Sequence, residues 1–213
     1  MSKKETTINT YNQAAKAYQN KFMQMDLYND CYDLFCKHID NREAHLLEVA
    51  CGPGNVTRYL LNNNPNYKIL GIDLAPNMVS LAQKNVPKAT FRVMDCLEID
   101  QLNSTFDAIM CAFCLPYLSK EQLTEFLLHS AKVLHTGGML YLSTMEGKYS
   151  NSGFETTSFS GENKVYIYYY SREYLRGILE QYGFGIIDFR TKQYPEPDGS
   201  FLTDLIYIAR KKI

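Results

Sequence analysis

The sequence has 213 residues, of which 46% are apolar, and its formal net charge is −1. A chain of this length and composition can bury one substantial core, so we expect a single domain over residues 1–213. The near-neutral charge excludes the long-range field that is typical of general nucleic-acid and membrane binders. Residues 1–12 are polar and no run of about eighteen apolar residues occurs, so the sequence predicts a soluble, cytoplasmic protein.

Two helices are predicted before the first strand. Apolar residues recur at helical spacing over residues 6–22 and again over residues 27–39. They would form an N-terminal helical cap within residues 1–44. Tyr11 and Tyr18 lie on the first helix, where they either pack against the domain or close over a ligand.

A strand followed by a glycine-rich turn is the central feature of the sequence. Leu46, Leu47 and Val49 form a short apolar run, which is typical of a strand buried on both faces. The segment Cys51-Gly-Pro-Gly54 then imposes a tight turn, and residues 55–61 predict a helix. Because such a turn exposes backbone N–H groups in a cleft, we expect a ligand to lie against it.

Four further strands alternate with helices up to residue 144. They are predicted at residues 67–74, 89–94, 106–113 and 139–144. Pro76 suits the first position of one helix, and a capping box at Ser119–Gln122 begins another, which Gly137-Gly138 would end. This alternation specifies an open parallel sheet with helices on both faces. Ligands of such sheets bind beyond the carboxyl ends of the strands.

The last third of the sequence breaks the alternation. Residues 146–163 are rich in Gly, Ser, Thr and Asn and predict a long surface loop, and residues 165–170 resemble a strand. Ser171 would cap a helix that reaches Tyr182. Residues 183–194 and 201–210 predict two strands whose connection is too short for a crossover helix, so they must pair antiparallel.

Acidic residues at the strand ends indicate a nucleoside site. Asp73 follows the glycine turn by about twenty residues, where a carboxylate can bind both ribose hydroxyls; taken alone, it could equally cap a helix. The dinucleotide-binding fingerprint is incomplete, because Thr57 occupies the position of its third glycine. Glu48 precedes the turn, where a negative charge suits a cation better than a pyrophosphate.

The six cysteines are scattered, several of them within apolar runs, and predict buried reduced thiols rather than disulfides. Cys111 and Cys114 have C-x-x-C spacing, which raises zinc or redox chemistry as an alternative. No second pair or nearby histidine pair completes a four-ligand site, so we expect no bound metal.

These motifs, taken in order, resemble those of the class I S-adenosylmethionine-dependent methyltransferases. The matching segments are Glu48-Val-Ala-Cys-Gly-Pro-Gly54, Gly71–Met78, Met94–Leu97 and Phe106–Cys111, the last followed by Leu115, Tyr117 and Leu118. Ala50 replaces the first glycine of the family's first motif. The resemblance covers Leu46 to Arg210 and implies a Rossmann-like α/β sheet of about seven strands, mostly parallel, with an antiparallel C-terminal strand.

The resemblance also implies roles for individual residues. Asp73 would bind the ribose, Leu74 or Met78 would pack on the adenine, and Asp95 would accept its exocyclic amine beside the Cys96 backbone. The carbonyls of Ala50 and Cys111 would face the methionine amino group, with Glu48 nearby. The residues expected to bind S-adenosylmethionine are Glu48, Ala50, Cys51, Gly52, Gly54, Asp73, Leu74, Met78, Asp95, Cys96 and Cys111.

The acceptor is expected to be a small molecule, bound by the cap, by residues 113–117 and by an aromatic insertion at residues 146–170. The candidate acceptor residues are Tyr11, Tyr18, Phe113, Tyr117 and Tyr168. The tyrosines of the insertion could instead be ordinary strand residues. No catalytic base is assigned, and the nucleophilic atom and the oligomeric state stay open.

Two rival functions remain at this level. One is an NAD(P)-linked oxidoreductase, which the missing third glycine disfavours, and the other is a nucleoside-binding protein without an acceptor site. A nucleic-acid acceptor has no basic stripe to support it.

Overall fold

The computed structural model describes residues 2–156, 163–196 and 198–212. Their strands are β1 (His45–Val49), β2 (Lys68–Asp73), β3 (Thr90–Val93), β4 (Phe106–Ala112), β5 (Leu134–Met145), β6 (Gly153–Thr156), β7 (Lys164–Ile167), β8 (Phe184–Pro195) and β9 (Phe201–Lys211). Their α-helices are α1 (Lys3–Gln13), α2 (Ala15–Phe22), α3 (Asn29–Lys37), α4 (Asn55–Asn63), α5 (Pro76–Asn85), α6 (Lys120–Val133) and α7 (Arg172–Gln181). Short 3₁₀ helices span Cys96–Gln101, Leu115–Tyr117 and Tyr149–Asn151. No helix within these residues is long and apolar enough to cross a membrane.

Seven of the strands form one mixed sheet in the order β3-β2-β1-β4-β5-β9-β8. The strands β1 to β5 pair parallel, and β9 lies between β5 and β8, antiparallel to both. The predicted Rossmann-like sheet with an antiparallel C-terminal strand is therefore confirmed. Because the strand order reverses between β1 and β4, a cleft opens at their carboxyl ends.

Helices cover both faces of the sheet. Consecutive residues of a strand point to opposite sides, so each central strand contributes side chains to the core on each face. On β1, Leu47 and Val49 pack with α6 and α7, whereas Leu46 packs with α3, α4 and α5. All three side chains are fully buried. The apolar run that predicts a doubly covered strand is thus explained by two separate cores, one on each face.

The N-terminal region contains three helices where the sequence predicts two. The break lies at Ala14, which leaves helical geometry with φ −94° and ψ 14°. A capping box at Ser2 begins α1, and two threonines attach α1 to β7. The Thr10 hydroxyl donates to the Lys164 carbonyl at 2.7 Å, and the Thr7 hydroxyl accepts from the Tyr166 N–H at 3.2 Å.

The predicted surface loop at residues 146–163 is wrong in part, because β6 and β7 pair antiparallel as a separate two-stranded sheet. Residues 157–162 of that prediction lie outside the described residues. Another difference concerns Gly137 and Gly138, which do not end a helix. α6 already ends at Val133, and both glycines lie within β5, where a Cβ on Gly138 would come within 2.9 Å of the His135 carbonyl oxygen.

We expect Gly71→Ala to destabilise the fold. A Cβ at Gly71 would lie 2.5 Å from the ring of Phe91, which is only 6% exposed, and 3.1 Å from the Cβ of Cys51. Such overpacking should lower the free energy of unfolding by about 2 kcal/mol, measured by urea denaturation. The matched variant Gly177→Ala, where a Cβ meets nothing within 4 Å, should instead be neutral or stabilising because it lies within α7. Equal effects of the two substitutions would contradict the packing at Gly71.

Candidate functional site

Two cavities meet at the carboxyl ends of β1, β2 and β4. The smaller has a volume of about 470 Å³ and the larger about 760 Å³. Six residues line both cavities, and we call them the shared wall. They are Tyr11, Tyr18, Ala50, Ala112, Phe113 and Tyr117. Two molecules bound side by side in these cavities would face each other across the shared wall.

The bend after β1 runs along the base of the cleft. Gly52 and Gly54 adopt left-handed φ angles of 52° and 84°, which a residue with a side chain rarely accepts. The Cys51 N–H donates to the Ile72 carbonyl at 2.9 Å, and the Gly54 N–H donates to the Cys51 carbonyl at 3.0 Å. No side chain caps α4, which begins directly after the bend, so its first backbone N–H groups are not bound by a capping side chain.

Two residues of the shared wall carry backbone strain. Ala50 has φ 54° and Phe113 has φ 57°, and they are the non-glycine residues with positive φ among those the structure describes. They follow adjacent parallel strands, β1 and β4. Such strain is concentrated at functional sites, where the surrounding structure holds a residue in an unfavourable conformation. It therefore marks the junction of the two cavities as the candidate centre.

Asp73 lies directly beside the bend. One carboxylate oxygen, Oδ2, accepts from the Gly52 N–H at 3.0 Å, and Oδ1 accepts from the Ala75 N–H at 2.8 Å. Each oxygen keeps capacity for a second hydrogen bond. Burial raises the pKa of Asp73, while these backbone hydrogen bonds oppose the rise. The two features that the sequence places together, the bend and the acid, are thus in contact.

Glu48 is a second buried acid at the cleft. It is 2% exposed, its carboxylate accepts from the Thr57 hydroxyl, and it lines the larger cavity. Burial raises the pKa of Glu48 to about 8, and the nearby Asp73 adds to the rise, although the Thr57 hydrogen bond opposes it. A carboxyl group of this kind becomes ionised readily only when a positive charge comes close.

Asp95 also lines the smaller cavity. Its Oδ1 accepts from the Leu97 N–H at 3.1 Å, and its Oδ2 pairs with the ammonium of Lys4 on α1. The predicted site therefore contains an ion pair that the sequence did not indicate. It ties the first turn of α1 to the cavity wall.

The structure brings most of the predicted cofactor residues together. The smaller cavity is lined by Ala50, Gly52, Asp73, Leu74, Met78, Asp95 and Cys96. Glu48 and Cys51 line the larger cavity instead. Gly54 and Cys111 line neither: a Cβ on Gly54 would pack on Ala82, and Cys111 is fully buried within β4. The residues after Cys111, Ala112 and Phe113, reach the cavities in its place.

Four of the five predicted acceptor residues belong to the shared wall. The rings of Tyr18 and Tyr117 lie 5.7 and 5.3 Å from that of Tyr11, and the hydroxyls of Tyr11 and Tyr117 are hydrogen-bonded to each other. Burial raises the pKa of all three tyrosines, so they remain neutral hydroxyls. The fifth residue, Tyr168, lines the smaller cavity and not the larger one.

Sequence reasoning missed a buried acid in the larger cavity. Asp204 on β9 is 2% exposed, and its Oδ2 accepts from the Tyr28 hydroxyl at 2.6 Å. Both side chains line the larger cavity. The available signal was a single acid inside an otherwise apolar strand, since residues 205–209 are all buried and apolar.

The cysteines are all free thiols in the structure. The sulfurs of Cys96 and Cys114 lie 3.9 Å apart, and both residues line the smaller cavity. Among the described residues, no group of three or more His, Cys, Asp or Glu side chains is arranged to hold a metal ion.

Comparison with known proteins identifies a family model and curated proteins that this chain resembles. Residues 46–138 match the family model described as a methyltransferase domain. The chain is 31% identical over 109 residues to a malonyl-[acyl-carrier protein] O-methyltransferase of Paenibacillus sp., covering 48% of this chain and 39% of that protein. It is 24% identical over 137 residues to a protein of Invertebrate iridescent virus 6 named as a methyltransferase, covering 64% of this chain and 49% of that one. The chain thus spans about half the length, or less, of these curated relatives.

Solved structures with low sequence identity share the fold. One is described as a SAM-dependent methyltransferase from Methanosarcina mazei, with a TM-score of 0.72 and 19% identity, covering 89% of this chain and all of that one. Another is the 1,6-didemethyltoxoflavin-N1-methyltransferase of Burkholderia thailandensis, solved with 1,6-didemethyltoxoflavin and S-adenosylhomocysteine bound. Its TM-score is 0.70 at 17% identity, covering 98% of this chain and 88% of that one. The matching domain, this strand order and the bend in contact with Asp73 make the chain similar to the class I S-adenosylmethionine-dependent methyltransferases.

Proposed function

We propose that this protein transfers a methyl group from S-adenosylmethionine to a small-molecule acceptor. The observation that carries the proposal is the pair of cavities separated by the shared wall. Methyl transfer needs a donor and a nucleophile held near 3 Å apart in a site that excludes water. Two adjoining cavities can bind two different molecules in that relation, and the strained Ala50 and Phe113 lie where they would meet.

The smaller cavity fits the proposed cofactor. Asp73 has hydrogen-bonding capacity left for both ribose hydroxyls, and Leu74 and Met78 offer apolar contact to a base. Asp95, which also lines this cavity, can accept a hydrogen bond from an exocyclic amine. Gly52 leaves the bend bare, since a Cβ there would project into the space before the Tyr18 ring, 3.6 Å away. These are the groups that a nucleoside with a charged tail requires.

When bound, S-adenosylmethionine supplies an activated methyl group, whose carbon accepts a lone pair from the acceptor as the carbon–sulfur bond breaks. The chain's own residues orient the partners and exclude water. Glu48 would balance positive charge near the bend, and the hydroxyls of Tyr11, Tyr18 and Tyr117 would orient groups at the shared wall. A dedicated base is required only if the acceptor nucleophile carries an acidic proton.

The larger cavity supports a small-molecule acceptor. Its volume of about 760 Å³ lies within the range typical of small-molecule sites, about 300 to 1,000 Å³. We propose that residues 1–44 and 146–170 shape it, because described residues of these two segments form about half of its lining. A nucleoside-binding protein without an acceptor would have no use for this space. The net charge of −1 also offers little attraction to nucleic acid.

S-adenosylhomocysteine should stabilise the protein, and NAD should not. At a ligand concentration ten times Kd, linkage predicts a gain of about 1.4 kcal/mol in the free energy of unfolding. For a chain of this size that gain corresponds to a rise in Tm of roughly 3 to 6 °C, measured by differential scanning fluorimetry.

A larger shift with NAD than with S-adenosylhomocysteine would reject the cofactor and favour the oxidoreductase. Binding alone does not establish transfer, so the second measurement is release of S-adenosylhomocysteine during incubation with S-adenosylmethionine and a pool of cell metabolites. Cofactor binding without methylation of any metabolite would favour a non-catalytic nucleoside-binding protein.

A further inference from the structure

The ionisable lining of the larger cavity is strongly acidic. Five acidic side chains of the described residues line it, namely Asp26, Glu48, Glu155, Glu196 and Asp204. Among its described lining residues, Arg58 is the single basic side chain. The guanidinium of Arg58 donates to the Met23 carbonyl and lies 3.3 Å from Oε1 of Gln24, so it is already engaged. A carboxylate or phosphate ligand would therefore meet repulsion in this cavity, and a cation would meet attraction.

Asp204 is a buried acid of this cavity that lacks a positively charged partner. It is 2% exposed and lies on β9, an interior strand of the sheet, yet none of the described residues forms an ion pair with it. Its Oδ2 accepts from the Tyr28 hydroxyl, and no described group donates to Oδ1. A buried carboxylate without a positive partner is unfavourable unless a ligand supplies one. Burial raises its pKa to about 6, and the nearby Glu196 adds to the rise, while the Tyr28 hydrogen bond opposes it.

The path from Asp204 to the shared wall is short. Tyr28 donates to Asp204, and its ring lies 5.1 Å from the ring of Phe113, which belongs to the shared wall. A ligand that reaches Asp204 thus also reaches the junction of the two cavities. Aromatic side chains line much of the larger cavity. Besides those of the shared wall, they are Phe22, Tyr28, Tyr32, Tyr59, Tyr169 and Tyr194. Their faces attract organic cations in addition to apolar groups.

On the basis of the proposed methyl transfer, we propose that the acceptor is a small basic amine with an aromatic or apolar body, and that Asp204 binds its N–H or positively charged group. The atom that receives the methyl group must carry a lone pair, so it is either a second, neutral nucleophile of the acceptor or the amine nitrogen after that nitrogen has released its proton. Tyr28 holds the Asp204 carboxylate in position. The same cavity discriminates against acceptors that carry a carboxylate. Asp204 acts here as a binding and specificity residue.

Three matched aryl probes test the charge preference, namely phenethylamine, 2-phenylethanol and phenylacetate. Binding to the full chain saturated with S-adenosylhomocysteine is measured by isothermal titration calorimetry. Phenethylamine should bind at least about tenfold more tightly than phenylacetate, which is the scale of one charge-assisted hydrogen bond. 2-Phenylethanol should lie between them. Equal affinities, tighter binding of phenylacetate, or no binding of phenethylamine would overturn the proposal.

Asp204→Asn should remove most of that preference, because the amide keeps the shape and can still accept from Tyr28 but carries no charge. The control Asp100→Asn removes the same charge from an exposed residue paired with Lys132, outside both cavities, and should leave the preference intact. A preference that survives in Asp204→Asn would refute the role of this residue. The wild-type ranking does not depend on whether the variant folds.

The outcome separates this inference from the proposed function. Affinity for S-adenosylhomocysteine is measured first and should be the same within about twofold in wild type, Asp204→Asn and Asp100→Asn. If the wild type does not bind S-adenosylhomocysteine, the proposed function itself is wrong. If it binds S-adenosylhomocysteine but shows no preference for phenethylamine, only the inference about the acceptor is wrong.

Discussion

Asp73→Ala should weaken the binding of S-adenosylhomocysteine by about 10- to 150-fold, or about 1.5 to 3 kcal/mol, measured by isothermal titration calorimetry. That is the usual scale for losing charge-assisted hydrogen bonds, and the carboxylate is placed to make two of them to a ribose. The substitution also frees the N–H groups of Gly52 and Ala75, which Asp73 holds at 3.0 and 2.8 Å. The bend would therefore lose part of its support, and both effects reduce affinity.

A matched control separates ligand binding from support of the backbone. Asp107 lies at the opposite end of the sheet, near the start of β4, where its Oδ2 accepts from the His45 N–H at 2.7 Å, and it lines neither cavity. Asp107→Ala removes a comparable acid-to-backbone contact and should leave affinity unchanged. If both variants bind equally well, or if Asp73→Ala binds like the wild type, Asp73 does not contact the nucleoside.

Local sequence signals predicted the central part of the fold because they depend on few distant contacts. The apolar run Leu46–Val49 requires burial on both faces of a strand. Glycines at positions 52 and 54 accept left-handed φ angles independently of the rest of the fold. The capping box at Ser119 was predicted from four residues and is present. Asp73 was predicted to lie beside the bend because it ends the second strand of a parallel sheet, about twenty residues after the glycine turn.

Features that depend on long-range contacts were not predictable in this way. Residues 165–170 already resembled a strand in the sequence, but β6 lies in a segment that was predicted to be a loop. Its pairing with β7 is a tertiary contact, and β7 is in turn attached to α1. Tyr28 and Asp204 are 176 positions apart, so no local pattern could link them. The ion pair of Lys4 with Asp95 depends in the same way on how α1 packs over the cleft.

Under the proposed function, these unpredicted contacts would set the specificity for the acceptor. The smaller cavity is built largely from strand ends and turns that the motifs specify, whereas the larger one draws on α2, the segment before α3, the β6–β7 sheet and β9. Segments without a shared motif can vary in sequence while the bend and Asp73 stay in place. The acceptor is therefore decided where sequence reasoning is weakest.

Glu48→Gln should stabilise the ligand-free protein above pH 8 and have little effect near pH 5. The pKa of Glu48 is raised from 4.5 to about 8 in the folded chain, chiefly by burial. Between those pH values the unfolded chain releases a proton that the folded chain keeps, so stability falls as pH rises through this window and then levels off. Each pKa unit is worth about 1.4 kcal/mol, so the neutral amide should gain roughly 5 kcal/mol at pH 9, measured by urea denaturation across pH 5 to 9.

The same substitution should act in the opposite direction on ligand binding. A ligand cation near the bend favours the ionised carboxylate, so S-adenosylhomocysteine, which carries an ammonium group, should bind less tightly to Glu48→Gln and should release a proton on binding to the wild type. Thr57→Val is the companion variant. Because the Thr57 hydrogen bond lowers the pKa of Glu48, its removal should extend the pH window of declining stability above pH 8. A stability difference between wild type and Glu48→Gln that does not change with pH would show that Glu48 is already ionised in the ligand-free cleft, and would remove the reason to expect a cation beside it.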